Sequence, residues 1–258
     1  IIVPVHLAGT SCAMHDLENL VRPYGIKIVE DASHAVGASY LGVPVGACAQ
    51  SDISVFSFHP VKIITTAEGG VATTKNSKLA DHMALLRSHG ITKDETLFEL
   101  EPSGPWSYEQ QQLGFNYRLN DLQAALGLSQ LQRLQEIVAE RNRLYECYSS
   151  LLDGLPVQLL QIPSECYSAL HLAVIRLQDD QSFRHREVFE GLRRAGIGVQ
   201  LHYSPVHLHP YYRRLGFQVG DFPQAEAYAR SAISLPLFPG LTANEQKRVV
   251  GALTELLG

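Results

Sequence analysis

The run Ser54-Val55-Phe56-Ser57-Phe58-His59-Pro60-Val61-Lys62-Ile63-Ile64-Thr65-Thr66-Ala67-Glu68-Gly69-Gly70 sets the central problem of this chain. Asp52–Phe58 reads as one strand and Gly69–Thr74 as another, so Lys62 lies between two apolar strands, where burial is expected. Taking an ammonium out of water is costly, so such a lysine is either neutralised or used. A desolvated amine of lowered pKa is suited to forming a Schiff base. The alternative is a lysine whose stem lies along the surface with its amine in water, and spacing alone leaves the two open. Gly69-Gly70 reads as close backbone packing rather than as a phosphate cradle.

Outward from this run, strands alternate with helices. Ile1–Leu7 reads as a strand, Cys12–Tyr24 as an amphipathic helix, Ile26–Asp31 as a second strand and Lys78–Arg87 as a helix. That alternation predicts an α/β layer with a largely parallel sheet, whose ligand site lies at the carboxyl ends of the strands. Asp31 stands at one such end and Lys62 follows another. Asp31 also has the bland reading of a helix N-cap or turn former. From Leu119 to Leu152 runs one helical pattern, with Asn120 and Gln123 spaced as a capping box and Gly154 closing it. Beyond it, Pro156–Ile162, His171–Leu177 and Gly198–His202 read as strands. Ser182–Ala195 reads as a helix closed by Gly196, and Thr242 with Glu245 opens a last helix. These form a small α+β domain.

Composition narrows the function classes. The 258 residues are 45% hydrophobic, enough for one large domain or two modest ones, and no apolar run reaches membrane-spanning length. The net charge of −5 comes without a block of like charge, which argues against nucleic acid as a partner. Cys12, Cys48, Cys147 and Cys166 form no CxxC pair and read as unpaired thiols of a reducing cytoplasm. His207 and His209, with His202 nearby, have no acidic or cysteine ligand spaced to join them, so no metal is expected. Neither GxGxxG nor GxxxxGK[ST] occurs.

Four stretches in this order carry a resemblance: Glu30-Asp31-Ala32-Ser33-His34-Ala35-Val36-Gly37, the Ser57–Gly70 run, Gly114-Phe115-Asn116-Tyr117-Arg118-Leu119 and Gln200-Leu201-His202-Tyr203-Ser204-Pro205. Together they resemble the DegT/DnrJ/StrS sugar aminotransferases, which have the fold type I architecture of pyridoxal-phosphate (PLP) enzymes. The likeness runs over essentially the whole chain. The wording Phe-Ser-Phe-His-Pro-Val-Lys and Ala124-Ala125-Leu126-Gly127-Leu128-Ser129-Gln130-Leu131 is nearest to a branch of that family, the transaminases of pseudaminic acid synthesis.

The resemblance implies roles. Lys62 would hold PLP and shuttle a proton, and Asp31 would pair with the pyridinium, keeping the ring electron-withdrawing. Ser33 would lie against one face of the ring and His34 beside its hydroxyl. Ser57 would bind the phosphate, and Asn116 would reach the phosphate of a neighbouring subunit, which implies a homodimer. His202 and Tyr203 would contact substrate. Bland competitors stay open: a core histidine for His34 and a turn cap for Asn116. The implied reaction moves an amino group from glutamate to a nucleotide-linked 4-keto-6-deoxy sugar. The implied domains are a PLP-binding large domain over 1–118, a connecting helix over 119–152 and a small α+β domain over 153–258.

The chain opens directly on Ile1-Ile2-Val3-Pro4-Val5 with no Met, which reads as a fragment or a processed chain. Family members carry a segment before this point that grips the phosphate and stacks an aromatic on the ring. Neither feature is found here, so weak PLP retention is expected of these residues alone. Two other readings follow from the resemblance. One is a dehydratase, which has His in place of the lysine and is disfavoured by Lys62. The other is a catalytically incomplete homologue acting as a binding or sensor module.

Overall fold

A computed structural model describes residues 1–178 and 181–258. Two compact units make up the chain: Ile1–Leu7 with Ser11–Leu134, and Ala8–Thr10 with Gln135–Gly258.

In the first unit, α1 (Met14–Val21) precedes β1 (Val29–Asp31), and two short strands, β2 (Ser39–Tyr40) and β3 (Val43–Pro44), form a hairpin. β4 (Ile53–Ser57) then lies parallel to β1, with Asp31 opposite Val55. β5 (Gly70–Thr73) folds back antiparallel on β4, pairing Gly70 with Ser57. The expected α/β layer is present, with its parallel pairing between Ile1–Leu7, β1 and β4 and an antiparallel edge at β5. Ile28, Ala32, Ala35, Phe56, Ile63 and Ile64 are buried around it. Gly70 is fixed by contact, since a Cβ there would stand 2.6 Å from the Phe56 carbonyl oxygen. This is the close packing expected of the Gly69-Gly70 pair.

The expected strand Ile1–Leu7 is reduced to parallel bridges at Ile2–Ile28 and Val5–Asp31. The amides of Val29 and Asp31 bond the carbonyls of Ile2 and Pro4, and the His6 amide bonds Asp31. Pro4 has no N–H to give back, so the ladder breaks in its middle. Further on lie α2 (Ser77–Arg87), capped by the Asn76 side chain, the short pair β6 (Ile91–Thr92) and β7 (Glu109–Gln110), and α3 (Asp121–Leu131). The Asn120–Gln123 capping box forms at the start of α3 as the spacing predicts.

The helical pattern over 119–152 is two helices, not one. α3 ends at Leu131 and α4 runs over Leu134–Leu151. Between them the Arg133 amide bonds Gln130 three residues back, tightening the turn. No Gly or Pro marks that break, so the apolar spacing carries across it.

In the second unit, α4 packs Leu144 and Tyr148 on an antiparallel sheet ordered β11–β10–β8, formed by β8 (Val157–Leu159), β10 (Ala173–Leu177) and β11 (Ala232–Leu235), with β9 (Cys166–Tyr167) between β8 and β10 in sequence. α5 (His185–Arg194) follows a single 3-10 turn at Ser182–Arg184 and ends before Gly196 at φ 74°. Two short helices, α6 (Pro210–Arg214) and α7 (Pro223–Ala229), lead to β11, and α8 (Ala243–Leu257) opens on the expected Thr242–Glu245 capping box. The expected strand Gly198–His202 is a single bridge from Gln200 to Ser234. Gln200 and Ser234 exchange both amide bonds, and the next bonded position of that ladder would face Gly198 with Pro236, which has no amide to give. Among the described residues no helix is long and apolar enough to cross a membrane.

Candidate active site

Parallel pairing of β1 and β4 sets the carboxyl ends of the two strands side by side, with Asp31 at one and Ser57 at the other. From Ser57 the chain enters a closed loop. The Phe58 amide bonds the Gly69 carbonyl, and the Thr66 amide returns to Phe58. At its tip the Lys62 amide bonds the His59 carbonyl, 2.9 Å away, and buried Ile63 and Ile64 anchor the next two positions. Lys62 is half-buried, whereas the other five lysines of the chain are exposed. Burial pulls its amine below the ordinary lysine value, and the charge of Asp31 offsets this only in part. Amine and carboxylate are therefore within electrostatic reach inside one unit. Asp31 also forms the turn that its bland reading expects, since its Oδ1 accepts the Ser33 amide at 3.0 Å.

The remaining expected residues divide between the units. Ser33 is half-buried and His34 buried just past β1, and Ser57 Oγ accepts the His59 amide at 3.5 Å. Asn116 is exposed, with its backbone bridged to Ser88 beyond α2. His202 and Tyr203 belong to the second unit. There His202 Nδ1 is 2.8 Å from Ser234 Oγ, its carbonyl accepts the Tyr228 hydroxyl, and its ring meets Tyr203 edge-on. His207 is buried against Glu226, with Nε2 at 2.9 Å from Oε1.

Two sets of residues around the site lie outside the sequence reading. Gln130 of α3 accepts the Thr65 amide through Oε1 at 2.9 Å, and Thr65 Oγ1 in turn donates to Phe58 and accepts from Ala67. Gly127 admits the Thr66 methyl, because a Cβ there would lie 2.7 Å from Thr66 Cγ2. So α3 holds the Lys62 loop from outside. The second set is buried: Glu30 of β1 takes hydrogen bonds from His6, Ser51 and Ser54. A contact across 65 residues leaves no local signal, but a glutamate inside a buried strand does.

Comparison with known proteins gives the chain a family. The profile of the DegT/DnrJ/EryC1/StrS aminotransferase family matches residues 1–254. A UDP-4-amino-4,6-dideoxy-N-acetyl-beta-L-altrosamine transaminase of Campylobacter jejuni is 35% identical over 254 residues, covering 98% of this chain and 64% of that protein. An uncharacterised Methanocaldococcus jannaschii protein, MJ1066, is 35% identical over 99% of this chain and 66% of its own length. The chain thus spans slightly less than two thirds of these relatives. Among solved structures, Helicobacter pylori PseC, described as an aminotransferase in pseudoaminic acid biosynthesis, superposes with a TM-score of 0.90 at 31% identity, covering 99% of this chain and 66% of PseC. The Streptococcus pneumoniae sugar aminotransferase Spr1654 in its PMP form gives 0.91 at 30% identity, with 99% of this chain and 68% of that one. The fold is that of the fold type I sugar aminotransferases, and the chain belongs to the DegT/DnrJ/EryC1/StrS aminotransferase family.

Proposed function

We propose that this chain holds pyridoxal 5′-phosphate on Lys62 and, in the enzyme it forms, serves to move an amino group from glutamate to a nucleotide-linked 4-keto-6-deoxy sugar. The observation that carries this reading is the Lys62–Asp31 pair, a half-buried amine of lowered pKa within reach of a strand-end carboxylate. The residues present fit the cofactor in kind: an amine for its aldehyde, a carboxylate for its ring nitrogen and the Ser57 hydroxyl for its phosphate. When bound, the cofactor supplies the electron sink for the carbanion left on the donor's Cα. Lys62 Nζ would serve as the base that takes and returns the proton at the donor's Cα, and its lowered pKa keeps more of it unprotonated near neutrality. Asp31 contributes the negative charge that favours a protonated ring nitrogen. Ser33 and His34, on the turn after Asp31, would flank the ring. Asn116, exposed on its unit, serves the phosphate of a second copy in a cytoplasmic homodimer. His202 and Tyr203 supply substrate contacts from the small α+β domain, within the division 1–118, 119–152 and 153–258. The transaminase named for the Campylobacter relative supports the sugar substrate, and the PLP and PMP forms of Spr1654 support the cofactor.

The test is to add PLP to the purified chain, reduce with borohydride and map the tethered peptide. Tethering on Lys62 is the expected result, and turnover of glutamate with a UDP-linked 4-keto-6-deoxy sugar is the test of the enzyme this chain forms. Tethering spread over the exposed lysines, or undiminished in Lys62→Ala, overturns the lysine assignment. Retention is expected to be weak for these residues alone, so the tethering is read at saturating PLP.

A further inference from the structure

Successive residues of a strand point to opposite faces, so Glu30 and Asp31 of β1 work on opposite sides of the sheet. Glu30 is 5% exposed and sits in a polar cluster with no role in the chemistry above. Its Oε2 is 2.7 Å from His6 Nε2, and its Oε1 accepts the Ser54 hydroxyl at 2.7 Å and the Ser51 hydroxyl. The Cys12 amide donates to His6 Nδ1, so the ring proton sits on Nε2 and faces Glu30. Burial alone would raise the Glu30 pKa, but the hydrogen bonds from His6, Ser51 and Ser54 outweigh it and hold the carboxyl below its ordinary value. A charge kept ionised inside a core is an uncommon choice where an apolar residue would also pack.

The backbone shows what the cluster holds. Asp31 donates its amide to Pro4 and accepts the His6 amide on its carbonyl, while the next amide, Ala32, bonds Val55. His6 therefore grips Asp31 with its main chain and Glu30 with its ring. The same ladder lacks the hydrogen bond that Pro4 cannot give. Side chains take over the register that the backbone leaves weak. Ser51 and Ser54 tie Glu30 to the start of β4, against which the end of β1 is aligned.

We infer that Glu30, with His6, Ser51 and Ser54, is a positioning residue that sets where the Asp31 carboxylate stands relative to Lys62. This deepens the PLP reading and rests on it only for the role of Asp31 toward the cofactor. The test uses Glu30→Gln, which keeps the volume but removes the charge, with Ser54→Ala as a milder second variant should the first fold poorly. The primary readout needs no cofactor. Competitive acetylation with mass spectrometry follows the Lys62 amine as a function of pH, with the exposed lysines as internal references. Asp31 raises the Lys62 pKa, so a displaced Asp31 lowers it further. A shift of half a pKa unit would make Lys62 react about threefold faster below its pKa. The second readout is the pH dependence of the absorbance of bound PLP.

Faster Lys62 labelling in a variant whose circular dichroism is unchanged, with the exposed lysines unaffected, is the expected result. A variant that only loses thermal stability, with Lys62 labelling and the absorbance profile of the parent, makes the cluster structural and overturns the inference. Asp31→Asn separates the two claims. If it leaves PLP affinity and absorbance intact, the cofactor role of Asp31 fails, while the labelling of the apo-protein still decides whether Glu30 positions it.

Discussion

Replacing Gln130 by Ala should loosen the Lys62 loop without unfolding the protein. The Gln130 side chain reaches from α3 to the Thr65 amide, and this 2.9 Å bond links two segments 65 residues apart. Thr65 is half-buried, so its amide regains only part of its hydrogen bonding from water. The net loss is one hydrogen bond, about 1–1.5 kcal/mol. Alanine is at least as good a helix former as glutamine, so α3 itself loses little. The cost therefore falls on the loop, as a local opening about 5- to 10-fold more populated. Hydrogen exchange on the peptide 58–69 measures it directly. The protected amides of Thr66 and Lys62, which bond Phe58 and His59, should exchange faster by that factor. Peptides from β1 should be unchanged. Gln130→Glu keeps an acceptor oxygen and should behave as the parent. A loop that opens more often also wets Lys62 more often, so its pKa should move up toward the ordinary value. Unchanged exchange over 58–69 in Gln130→Ala, or equal acceleration in the Ala and Glu variants, would refute the claim that this bond holds the loop.

Three further outcomes are expected. Among the six lysines, Lys62 should be acetylated disproportionately fast at pH 8 for its exposure, and Asp31→Asn should speed it further, because Asp31 is the charge that raises its pKa. Gly127→Leu should cost on the order of 1–3 kcal/mol by thermal denaturation, as overpacking against Thr66 exceeds the helix propensity gained, and it should slow PLP tethering on Lys62. Acid should destabilise the first unit through Glu30. The hydrogen bonds from His6, Ser51 and Ser54 hold its carboxyl below the usual glutamate value, so its stabilisation is present above that value and is lost as pH falls through the folded one. The urea midpoint of Glu30→Gln should therefore depend less steeply on pH between about 5 and 3, and an unchanged slope would remove Glu30 from the acid response.

Elements with their own local chemistry were legible from sequence. The capping boxes at Asn120 and Thr242 name two helix starts within a residue. The strand–loop–strand around Lys62 follows from apolar runs ending in Gly69-Gly70. What escaped depends on partners far along the chain. β11, Ala232–Leu235, is buried on both faces, so it lacks the alternation that marks a half-buried strand. The break between α3 and α4 has no breaker residue, and the shortened Gly198–His202 pairing turns on Pro236 in a facing segment far along the chain. For the site, Lys62 and Asp31 could each be picked out by type and place, while their mutual approach comes from the parallel register of β1 and β4, which no local pattern encodes.

The residues that hold the site are nonetheless those that break local rules. Glycine in the middle of a helix costs roughly 1 kcal/mol against alanine, yet Gly127 sits within α3, and the space it leaves is filled by the Lys62 loop. A glutamate has no business in a strand core, yet Glu30 is there, and its carboxylate ties together His6, Ser51 and Ser54. Pro4 interrupts a parallel ladder, and two residues on, the His6 ring ties the same two segments together through Glu30. Local propensity alone would put a better helix former, an apolar residue and a residue with an amide at these three positions. Such conflicts between local propensity and global fold gather where function constrains position. Here each of the three touches a segment that carries Lys62 or Asp31: Gly127 meets Thr66 of the Lys62 loop, Pro4 takes the Asp31 amide and Glu30 precedes Asp31 in β1, so the anomalies in the sequence point to the supports of the site as the motifs point to the site itself.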